Sequence, residues 1–275
     1  MSGTTQKVAL QSLRAFRSLT IYMLKPLGKS RRIVFDAFLY GVVRPIWNLL
    51  PNMSNFTYVA TVGNSKIKFR PLVMHDFLFV LANTSKNHKP LVQKVFQPKQ
   101  GQIVIDVGAH IGLYTLQAAR EVGPSGTVIS VEPDPQSFRI LKDNIALNHL
   151  DNVIAVNAAL SEIPGEMTFY ACTDPSLSGF ELQPDARLRE VTVVRTATLD
   201  ELLSACGVSE VDWIKIDVEG AETKVLQGGR CLLQNSKNLK VIVESSNNQA
   251  MEYLKQFGFR TEYLGEIYYF ASKTN

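Results

Sequence analysis

Residues 102–112 read Gln102-Ile-Val-Ile-Asp-Val-Gly-Ala-His-Ile-Gly112. The run begins with apolar, β-branched residues, which are typical of a strand buried on both faces, and an amphipathic segment follows at 113–122. Gly108 and Gly112 have no Cβ atom, so a ligand can lie against the backbone and the following helix can pack close to the strand. The sequence here predicts a strand, a ligand-binding turn and a helix.

The carboxylate of Asp106, at the end of that predicted strand, limits what the ligand can be. A phosphate-binding loop would carry a lysine in the pattern G-x-x-x-x-G-K-[ST], which is missing, and the spacing G-x-x-x-G differs from the dinucleotide pattern G-x-G-x-x-G. A carboxylate beside bare backbone suits a ligand with an ammonium or sulfonium group, and S-adenosylmethionine is the leading candidate. The alternative is that Asp106 only caps the helix and the glycines only make a tight turn.

The strands that follow supply further candidate contacts with this cofactor. A second predicted strand ends in Glu132, roughly 20 residues after the first glycine, where an acidic residue can accept both hydroxyls of a ribose. Asn157 and Ala158 follow a third strand and are placed beside the adenine, although Asn157 is equally a common turn former. Ala109 and His110, inside the glycine turn, complete the predicted cofactor contacts.

A second stretch with candidate chemistry is Val211-Asp-Trp-Ile-Lys-Ile-Asp-Val-Glu-Gly-Ala-Glu222. Strand alternation puts Lys215 and Asp217 on one face, where charged groups are costly to bury unless they are paired or functional. We predict that Asp217 contacts the cofactor and acts as base or orienter, held by Lys215. Glu219 is predicted to be catalytic and to bind substrate together with Glu222 and Glu244. The alternative is a simple ion pair, with the first two glutamates capping the next helix.

Metal binding is a weaker expectation. Asp217 and Glu244 offer oxygen ligands of the kind that Mg²⁺ prefers. Two carboxylates do not make a site, and we predict no metal.

The composition predicts a globular chain with an unusual N-terminal segment. Its 275 residues are 45% hydrophobic, enough for a substantial core. We divide it into a basic amphipathic helical segment at 1–55, a hairpin and helices at 56–100, and an S-adenosylmethionine-binding domain at 101–275. Three cysteines without a C-x-x-C pair favour a reducing compartment, so we expect the cytoplasm.

Charge is unevenly distributed along the chain. Up to residue 50, eight basic residues face one acid, Asp36, a net charge of +7 that leaves −3 of the overall +4 for the rest. The slightly acidic remainder argues against a nucleic-acid partner. The segment 1–55 has no apolar run long enough to span a membrane. It could lie on an anionic membrane surface or hold a partner, but we favour a cap packed on the domain.

The succession of strands and helices from 102 to 156 predicts an α/β fold with a doubly wound, mostly parallel sheet, which binds ligands beyond the carboxyl ends of its strands. Two further strands at 165–171 and 190–196 are joined by a long polar loop, 172–189. We predict that this loop is a lid or contacts the substrate, because long connections are often functional. Residues 260–271 predict a closing antiparallel hairpin at the sheet edge.

Three stretches together resemble the FkbM family of S-adenosylmethionine-dependent methyltransferases. They are Asp106-Val-Gly-Ala-His-Ile-Gly112, Glu132-Pro-Asp134 and Trp213-Ile-Lys-Ile-Asp-Val-Glu-Gly-Ala-Glu222, the last continued by Val225-Leu226 and Gly228-Gly229. The resemblance covers about residues 57–271. The third stretch is specific to the family, whereas the first would fit any class I methyltransferase with a Rossmann-like fold.

This resemblance implies a seven-stranded sheet with the last strand antiparallel. It implies that the cofactor is held by Asp106, Gly108, Gly112 and Glu132, and that Asp217 and Glu219 face the reaction centre. His110 stands where many members have asparagine.

The expected reaction is displacement of a methyl group from a sulfonium by a substrate hydroxyl, with Asp217 as base or orienter and His110 as the competing base. The acceptor predicted first is a hydroxyl on a sugar, glycolipid or similar small molecule. Peptide or protein N-methylation is the alternative. Two alternatives belong to other functional classes: a nicotinamide-dependent sugar enzyme and a non-catalytic module that binds a membrane surface. The sequence is also compatible with a homo-oligomer.

Overall fold

The computed structural model describes residues 57–71, 73–84, 91–184 and 186–273. The helices predicted within 1–55, and the membrane or capping roles considered for them, lie outside the described residues. Among the described helices, none has both the length and the apolar character needed to cross a membrane. The predicted domain boundaries at 55 and 100 stay predictions.

The described chain alternates strands and helices. The strands are β1 (Tyr58–Val62), β2 (Ser65–Phe69), β3 (Ile103–Val107), β4 (Thr127–Val131), β5 (Val153–Val156), β6 (Ala159–Leu160), β7 (Gly165–Cys172), β8 (Leu188–Ala197), β9 (Trp213–Ile216), β10 (Lys240–Glu244), β11 (Arg260–Gly265) and β12 (Tyr268–Ser272). The helices are α1 (Met74–Thr84), α2 (Leu91–Val95), α3 (Leu113–Val122), α4 (Pro135–Leu147), α5 (Leu199–Ala205), α6 (Glu222–Gln227), α7 (Arg230–Asn235) and α8 (Gln249–Lys255).

A seven-stranded sheet forms the centre of the fold, in the order β11-β12-β10-β9-β3-β4-β5. Neighbouring strands from β10 to β5 are parallel, whereas β12 runs antiparallel to both β10 and β11. The predicted seven-stranded, mostly parallel sheet with an antiparallel last strand is therefore confirmed. The hairpin differs from the prediction in one respect, because β12 inserts between β10 and β11 and only β11 lies at the edge.

Both faces of this sheet are covered, which explains why its central strands are continuously apolar. Ile105 and Ile214 point to the side where Leu199 of α5 and Leu226 of α6 pack. Val104, Val128 and Trp213 point to the opposite side, against α3 and α2. This two-sided packing confirms the doubly wound arrangement.

Local sequence signals fix several helix starts. The side chain of Asp134 caps α4 by accepting a hydrogen bond from the backbone N–H of Gln136, and Pro135 occupies the first turn. Thr198 and Glu201 form a reciprocal capping box at the start of α5.

A second, three-stranded sheet in the order β6-β8-β7 stands beside the first. Its β7 and β8 are the antiparallel pair predicted at 165–171 and 190–196; β7 is one residue longer than predicted and β8 is three residues longer. The connection between them contains a 3₁₀ turn at Pro175–Leu177. A separate hairpin joins β1 to β2 through Gly63, within the region where the sequence predicted a hairpin.

Candidate functional site

A cavity opens beyond the carboxyl ends of the parallel strands, where doubly wound sheets bind ligands. The space in and in front of this cavity, open solvent included, measures about 1100 Å³. Its walls are formed by His75, Phe79, Val107, Gly108, Ala109, His110, Tyr114, Val131, Glu132, Pro133, Asp134, Ser137, Ala158, Ala159, Leu160, Phe169, Pro175, Ser176, Ser178, Gly179, Phe180, Lys215, Asp217, Val218, Glu219, Ala221, Glu244 and Tyr268.

The tips of β3 and β9 meet at this cavity. The backbone N–H of Asp217 donates to the carbonyl of Val107 at 3.0 Å. Gly108 has a φ of +77°, and a Cβ built there would lie 1.8 Å from the carbonyl oxygen of Asp217. Gly108 is therefore required by the neighbouring backbone as well as by its left-handed conformation.

Gly112 has a different structural reason. It begins α3 with a φ of +93°, and a Cβ there would lie 2.5 Å from the side chain of Leu141 in α4. The glycine lets the two helices pack closely, and the structure does not bring Gly112 to the cavity wall.

Glu132 lies at the wall, as the ribose prediction requires. Its Oε2 accepts a hydrogen bond from the backbone N–H of His110 and its Oε1 accepts one from that of Asp134, both at 2.8 Å. Burial raises the pKa of Glu132 to about 7, and Asp134 adds to the shift, whereas His110 and the two backbone N–H groups oppose it. Each oxygen keeps a second lone pair that can accept a hydroxyl.

Asp106 is fully buried beneath the wall instead of in it. Its Oδ2 accepts a hydrogen bond from the Thr115 hydroxyl at 2.7 Å. Its Oδ1 lies 3.7 Å from Lys215 Nζ and has no hydrogen-bond partner among the described residues. Asp106 does not line the cavity in this structure, so its contact with the cofactor stays a prediction.

Lys215 is buried between two carboxylates. Its Nζ donates to Asp217 Oδ2 at 3.0 Å and lies 4.7 Å from the ring centre of Tyr114. Burial alone would lower the pKa of Lys215, but Asp217 and Asp106 raise it above its ordinary value, so the ammonium stays charged. The ion pair proposed as the structural alternative exists, and Asp217 nevertheless faces the cavity.

Two further glutamates line the same end of the cavity. Burial raises the pKa of Glu244 to about 7, Asp217 adds to the shift, and a hydrogen bond with Tyr268 opposes it. Restricted solvation, with Asp217 and Glu244 nearby, raises the pKa of Glu219 to about 8, even though the residue as a whole is exposed. Glu219 also has a φ of 53°, a strained conformation that is often found at functional sites.

Two other predicted contacts do not reach the cavity wall. The side chain of Asn157 donates to the carbonyl oxygens of Glu132 and Pro133, so it fixes the chain after β4, whereas Ala158 does line the wall. Glu222 is buried, and its Oε1 accepts a hydrogen bond from the N–H of Gly220 at 2.7 Å. It is engaged in ordering the turn that carries Glu219.

Several residues at the site were missed in the sequence. His75 and Phe79 line the cavity from α1, and Asp76 forms a buried ion pair with Arg70 at 2.7 Å. A signal was present, because His75 and Asp76 are charged or polar residues that open an otherwise apolar helix. His75, Asp76 and His110 place ligand atoms within 4.8 Å of one another, but the guanidinium already occupies Asp76, which disfavours a cation there.

The predicted lid loop contributes to the wall through Pro175, Ser176 and Phe180. Arg189, at its far end, donates to Asp134 Oδ1 at 2.5 Å and to Gln136 Oε1 at 2.7 Å. These bonds tie the start of β8 to the start of α4, beside the predicted nucleoside contact. Arg189 was not recognised from the sequence, because its partners lie more than 50 residues away.

The residues present fit S-adenosylmethionine. Carboxylates of Asp217, Glu219, Glu244 and Glu132 surround the cavity, which suits a sulfonium and an ammonium. Gly108 and Ala109, which have no side chain or only a methyl group, expose their backbone at the same cavity wall. When bound, this cofactor supplies an electrophilic methyl group; Glu132 would hold its ribose, and the turn at Gly108 would hold its amino-acid end.

The strand order and the position of the cavity define a Rossmann-like methyltransferase fold. The chain belongs to the methyltransferase FkbM domain family, whose model matches residues 106–266, more than half of its length. This membership implies S-adenosylmethionine as the cofactor and favours methyl transfer over the nicotinamide-dependent alternative.

Individual relatives are moderately similar. The chain is 31% identical to "Methyltransferase 1" of Beauveria bassiana, over 46% of this chain and 57% of that protein. It is 26% identical to "2-O-methyltransferase NoeI" of Sinorhizobium fredii, over 61% and 72% respectively. It is 32% identical to "31-O-demethyl-FK506 methyltransferase FkbM" of Streptomyces tacrolimicus, over 47% and 60%. The chain thus spans little more than half the length of two of these three relatives.

Proposed function

We propose that the protein transfers a methyl group from S-adenosylmethionine to a hydroxyl oxygen on a sugar, glycolipid or similar small acceptor. The observation that carries this proposal is that the ends of β3 and β9 meet at one cavity. Asp217 and Lys215 line this cavity, and so does Glu132, the residue predicted to hold the ribose. Two relatives support oxygen as the acceptor atom, since their names describe O-methylation.

The cavity chemistry suits a hydroxyl-rich acceptor. Asp217 is held by the Lys215 ammonium, so its remaining lone pairs have a fixed direction and can orient the reacting hydroxyl. Glu219 and Glu244 line the same end and can each accept hydrogen bonds from neighbouring hydroxyls. Phe169 and Phe180, packed edge to face at 5.9 Å, add an apolar surface from the second sheet, against which a sugar ring can lie.

The experiment uses the full chain and isotope-labelled S-adenosylmethionine. It is incubated with methyl glycosides of a neutral hexose, a deoxyhexose and a hexuronic acid, and with a short peptide as the N-methylation comparison. We expect label on a glycoside hydroxyl, located by NMR. Label on a peptide nitrogen, or binding of S-adenosylhomocysteine without transfer to any hydroxyl, would contradict the proposal.

Replacing Asp217 separates its role from cofactor binding. We expect Asp217→Ala to reduce turnover by about 10²-fold while the affinity for S-adenosylhomocysteine, measured by calorimetry, stays nearly intact. The matched control is Asp151→Ala, which removes an exposed carboxylate in the turn before β5. Full turnover in Asp217→Ala would remove this residue from the mechanism.

A further inference from the structure

A buried charged cluster lies behind one wall of the cavity. Arg70 follows β2 and Asp76 belongs to α1; their side chains are 1% and 0% exposed. The guanidinium donates through Nε to Oδ2 at 2.7 Å and through Nη2 to Oδ1 at 2.9 Å. His110 joins the pair, because its Nε2 lies 3.0 Å from Asp76 Oδ1. The histidine that lines the cavity is therefore anchored from behind by a carboxylate.

This contact determines which ring nitrogen of His110 carries the proton. Burial would raise the pKa of Asp76, but His110 and Arg70 hold it well below its ordinary value, so the carboxylate is ionised and can only accept hydrogen bonds. A lone pair on Nε2 would repel Oδ1 at this distance. Arg70 Nη2, which can only donate, lies 3.2 Å from the same Nε2 and favours a lone pair there. The carboxylate is the closer neighbour, at 3.0 Å, so we assign the proton to Nε2, which leaves the lone pair of the neutral ring on Nδ1.

The Nδ1 atom of His110 is buried and has no hydrogen-bond partner among the described residues. A buried acceptor left unpaired costs free energy, so such atoms usually have a functional explanation. The ring of His110 lies on the cavity wall, 4.9 Å from the ring of His75. The His110 side chain is 14% exposed, so a bound molecule can contact the ring, whereas contact with the buried Nδ1 requires a neighbouring side chain to move.

The neighbouring His75 shows which end of the cavity this is. Burial lowers the pKa of His75 to about 4, His110 adds to the shift, and the charges of Asp76, Asp174 and Asp217 oppose it. His75 thus lies within electrostatic reach of both the lid loop and the tip of β9. The two histidines therefore lie on a part of the wall that is within electrostatic reach of the lid loop.

We propose that His110 is a catalytic residue of this chain, whose Nδ1 takes the proton of the acceptor hydroxyl, and that Asp76 is a positioning residue that fixes its tautomer. This inference rests on the proposed function. The acceptor oxygen forms its bond to the methyl carbon while the S–C bond breaks and its electron pair returns to sulfur. The O–H proton passes to Nδ1, and the imidazolium is stabilised by the carboxylate of Asp76 until it releases the proton to water.

This assignment gives different roles to Asp217 and His110, which the sequence analysis had named as alternative bases. Asp217 already accepts a hydrogen bond from the Lys215 ammonium, which suits it to orient the hydroxyl. An imidazole held by a carboxylate is suited to accept a proton near neutral pH. The charged or titratable groups that face His110 are Arg70 from the end of β2, His75 and Asp76 from α1, and Glu132 after β4.

The first test needs no cofactor. Nitrogen-15 NMR of the histidine side chains, assigned by comparison with His110→Asn, reports the tautomer of His110. We expect the proton on Nε2 in the wild type, and a shift toward the Nδ1–H form in Asp76→Asn, whose amide can donate to Nε2. A proton on Nδ1 in the wild type overturns the inference, whatever the enzyme's activity.

The second test is kinetic and uses His110→Asn. Asparagine keeps an amide that can bond to Asp76 and an oxygen that can face the cavity, but it cannot take a proton. We expect methyl transfer to the glycosides to fall by about 10²- to 10⁴-fold, with the affinity for S-adenosylhomocysteine within a few-fold of wild type. The matched control is His149→Asn, an exposed position with a φ of 54° that tolerates asparagine, and we expect it to be fully active.

The pH profile distinguishes loss of a base from loss of structure. A general base contributes to the pH dependence of turnover. Glu132 and Glu244, whose pKa values burial raises to about 7, remain in the variant. The residual activity of His110→Asn should therefore depend less steeply on pH. If His110→Asn keeps wild-type activity, or if its pH profile is unchanged, the inference about His110 is wrong while O-methylation still stands. If the wild type binds S-adenosylhomocysteine but methylates no hydroxyl, the proposed function itself is wrong.

Discussion

Removing the carboxylate of Asp76 should destabilise the domain more than removing any exposed acid. Asp76 accepts hydrogen bonds from the backbone N–H, Nε and Nη2 of Arg70 at 3.0, 2.7 and 2.9 Å. In Asp76→Ala the guanidinium stays buried without a counter-charge. Stranding one member of a buried ion pair costs about 3–5 kcal/mol. For a domain of this size, that corresponds to a melting temperature lower by about 6–20 °C.

The measurement is urea unfolding followed by tryptophan fluorescence. The chain has two tryptophans, and a Trp47→Phe background leaves the buried Trp213 as the reporter. The control is Asp143→Ala, which removes the partner of Lys68 in an ion pair of 2.7 Å whose side chains are 32% and 48% exposed. Exposed pairs contribute about 0–1 kcal/mol. If Asp76→Ala and Asp143→Ala lose the same free energy of unfolding, the stabilising role assigned to the buried Arg70–Asp76 pair is wrong.

The pH dependence gives an independent check of the same pair. Because Arg70 and His110 hold the pKa of Asp76 below its ordinary value, the unfolded chain binds a proton at this group more readily than the folded one. The stabilisation is therefore complete above the ordinary aspartate pKa, about 4, and is lost as the pH falls below it. The difference between wild type and Asp76→Ala should shrink in acid. The double variant Arg70→Met/Asp76→Ala should regain part of the stability at neutral pH, since no stranded charge remains.

Three further outcomes follow from the geometry of the site. Gly108→Ala should abolish binding of S-adenosylhomocysteine, measured by calorimetry, because the added Cβ would lie 1.8 Å from the carbonyl oxygen of Asp217. The control is Gly101→Ala, which should bind normally, since Gly101 has a similar φ of +80° but its Cβ would meet no atom closer than 3.7 Å. The affinity for S-adenosylhomocysteine should rise as the pH increases through about 7, because Glu132 ionises there and can then accept both ribose hydroxyls. The Glu132→Gln variant should bind S-adenosylhomocysteine more weakly, and its affinity should not change over this pH range. Arg189→Ala should speed proteolysis of the lid loop several-fold by releasing β8 from α4, whereas Arg195→Ala, at an exposed position on the same strand, should not.

The sequence was sufficient to predict the sheet and the position of the cavity, because these depend on local patterns. The apolar runs at β3 and β9 and the glycine turn after β3 specify strands buried on both faces. Parallel strands bring their carboxyl ends to one edge, so the meeting of Asp217 with the turn at Gly108 follows from topology alone.

The direction of individual side chains was much less predictable. Asp106 has the position in the sequence that a ligand contact needs, but the hydroxyl of Thr115, one turn into α3, draws its carboxylate beneath the wall. Asn157 turns away because the carbonyls after β4 accept both its N–H bonds. Arg70 depends on α1 and α4 being folded against β2, and such contacts have no local sequence pattern.

The charge balance beneath the cavity gives Asp106 a function without direct contact. Asp106 and Lys215 are paired across β3 and β9, and Asp217 accepts the lysine's hydrogen bond at the tip. Two carboxylates and one ammonium carry one net negative charge, and it is weakly screened because Asp106 and Lys215 are buried and the Asp217 side chain is only 25% exposed. Such a charge attracts a sulfonium but not the neutral thioether that remains after methyl transfer. The buried lysine therefore does more than pair one acid, because it lies between two carboxylates and balances only one of their charges, which leaves a field that favours the donor over the product.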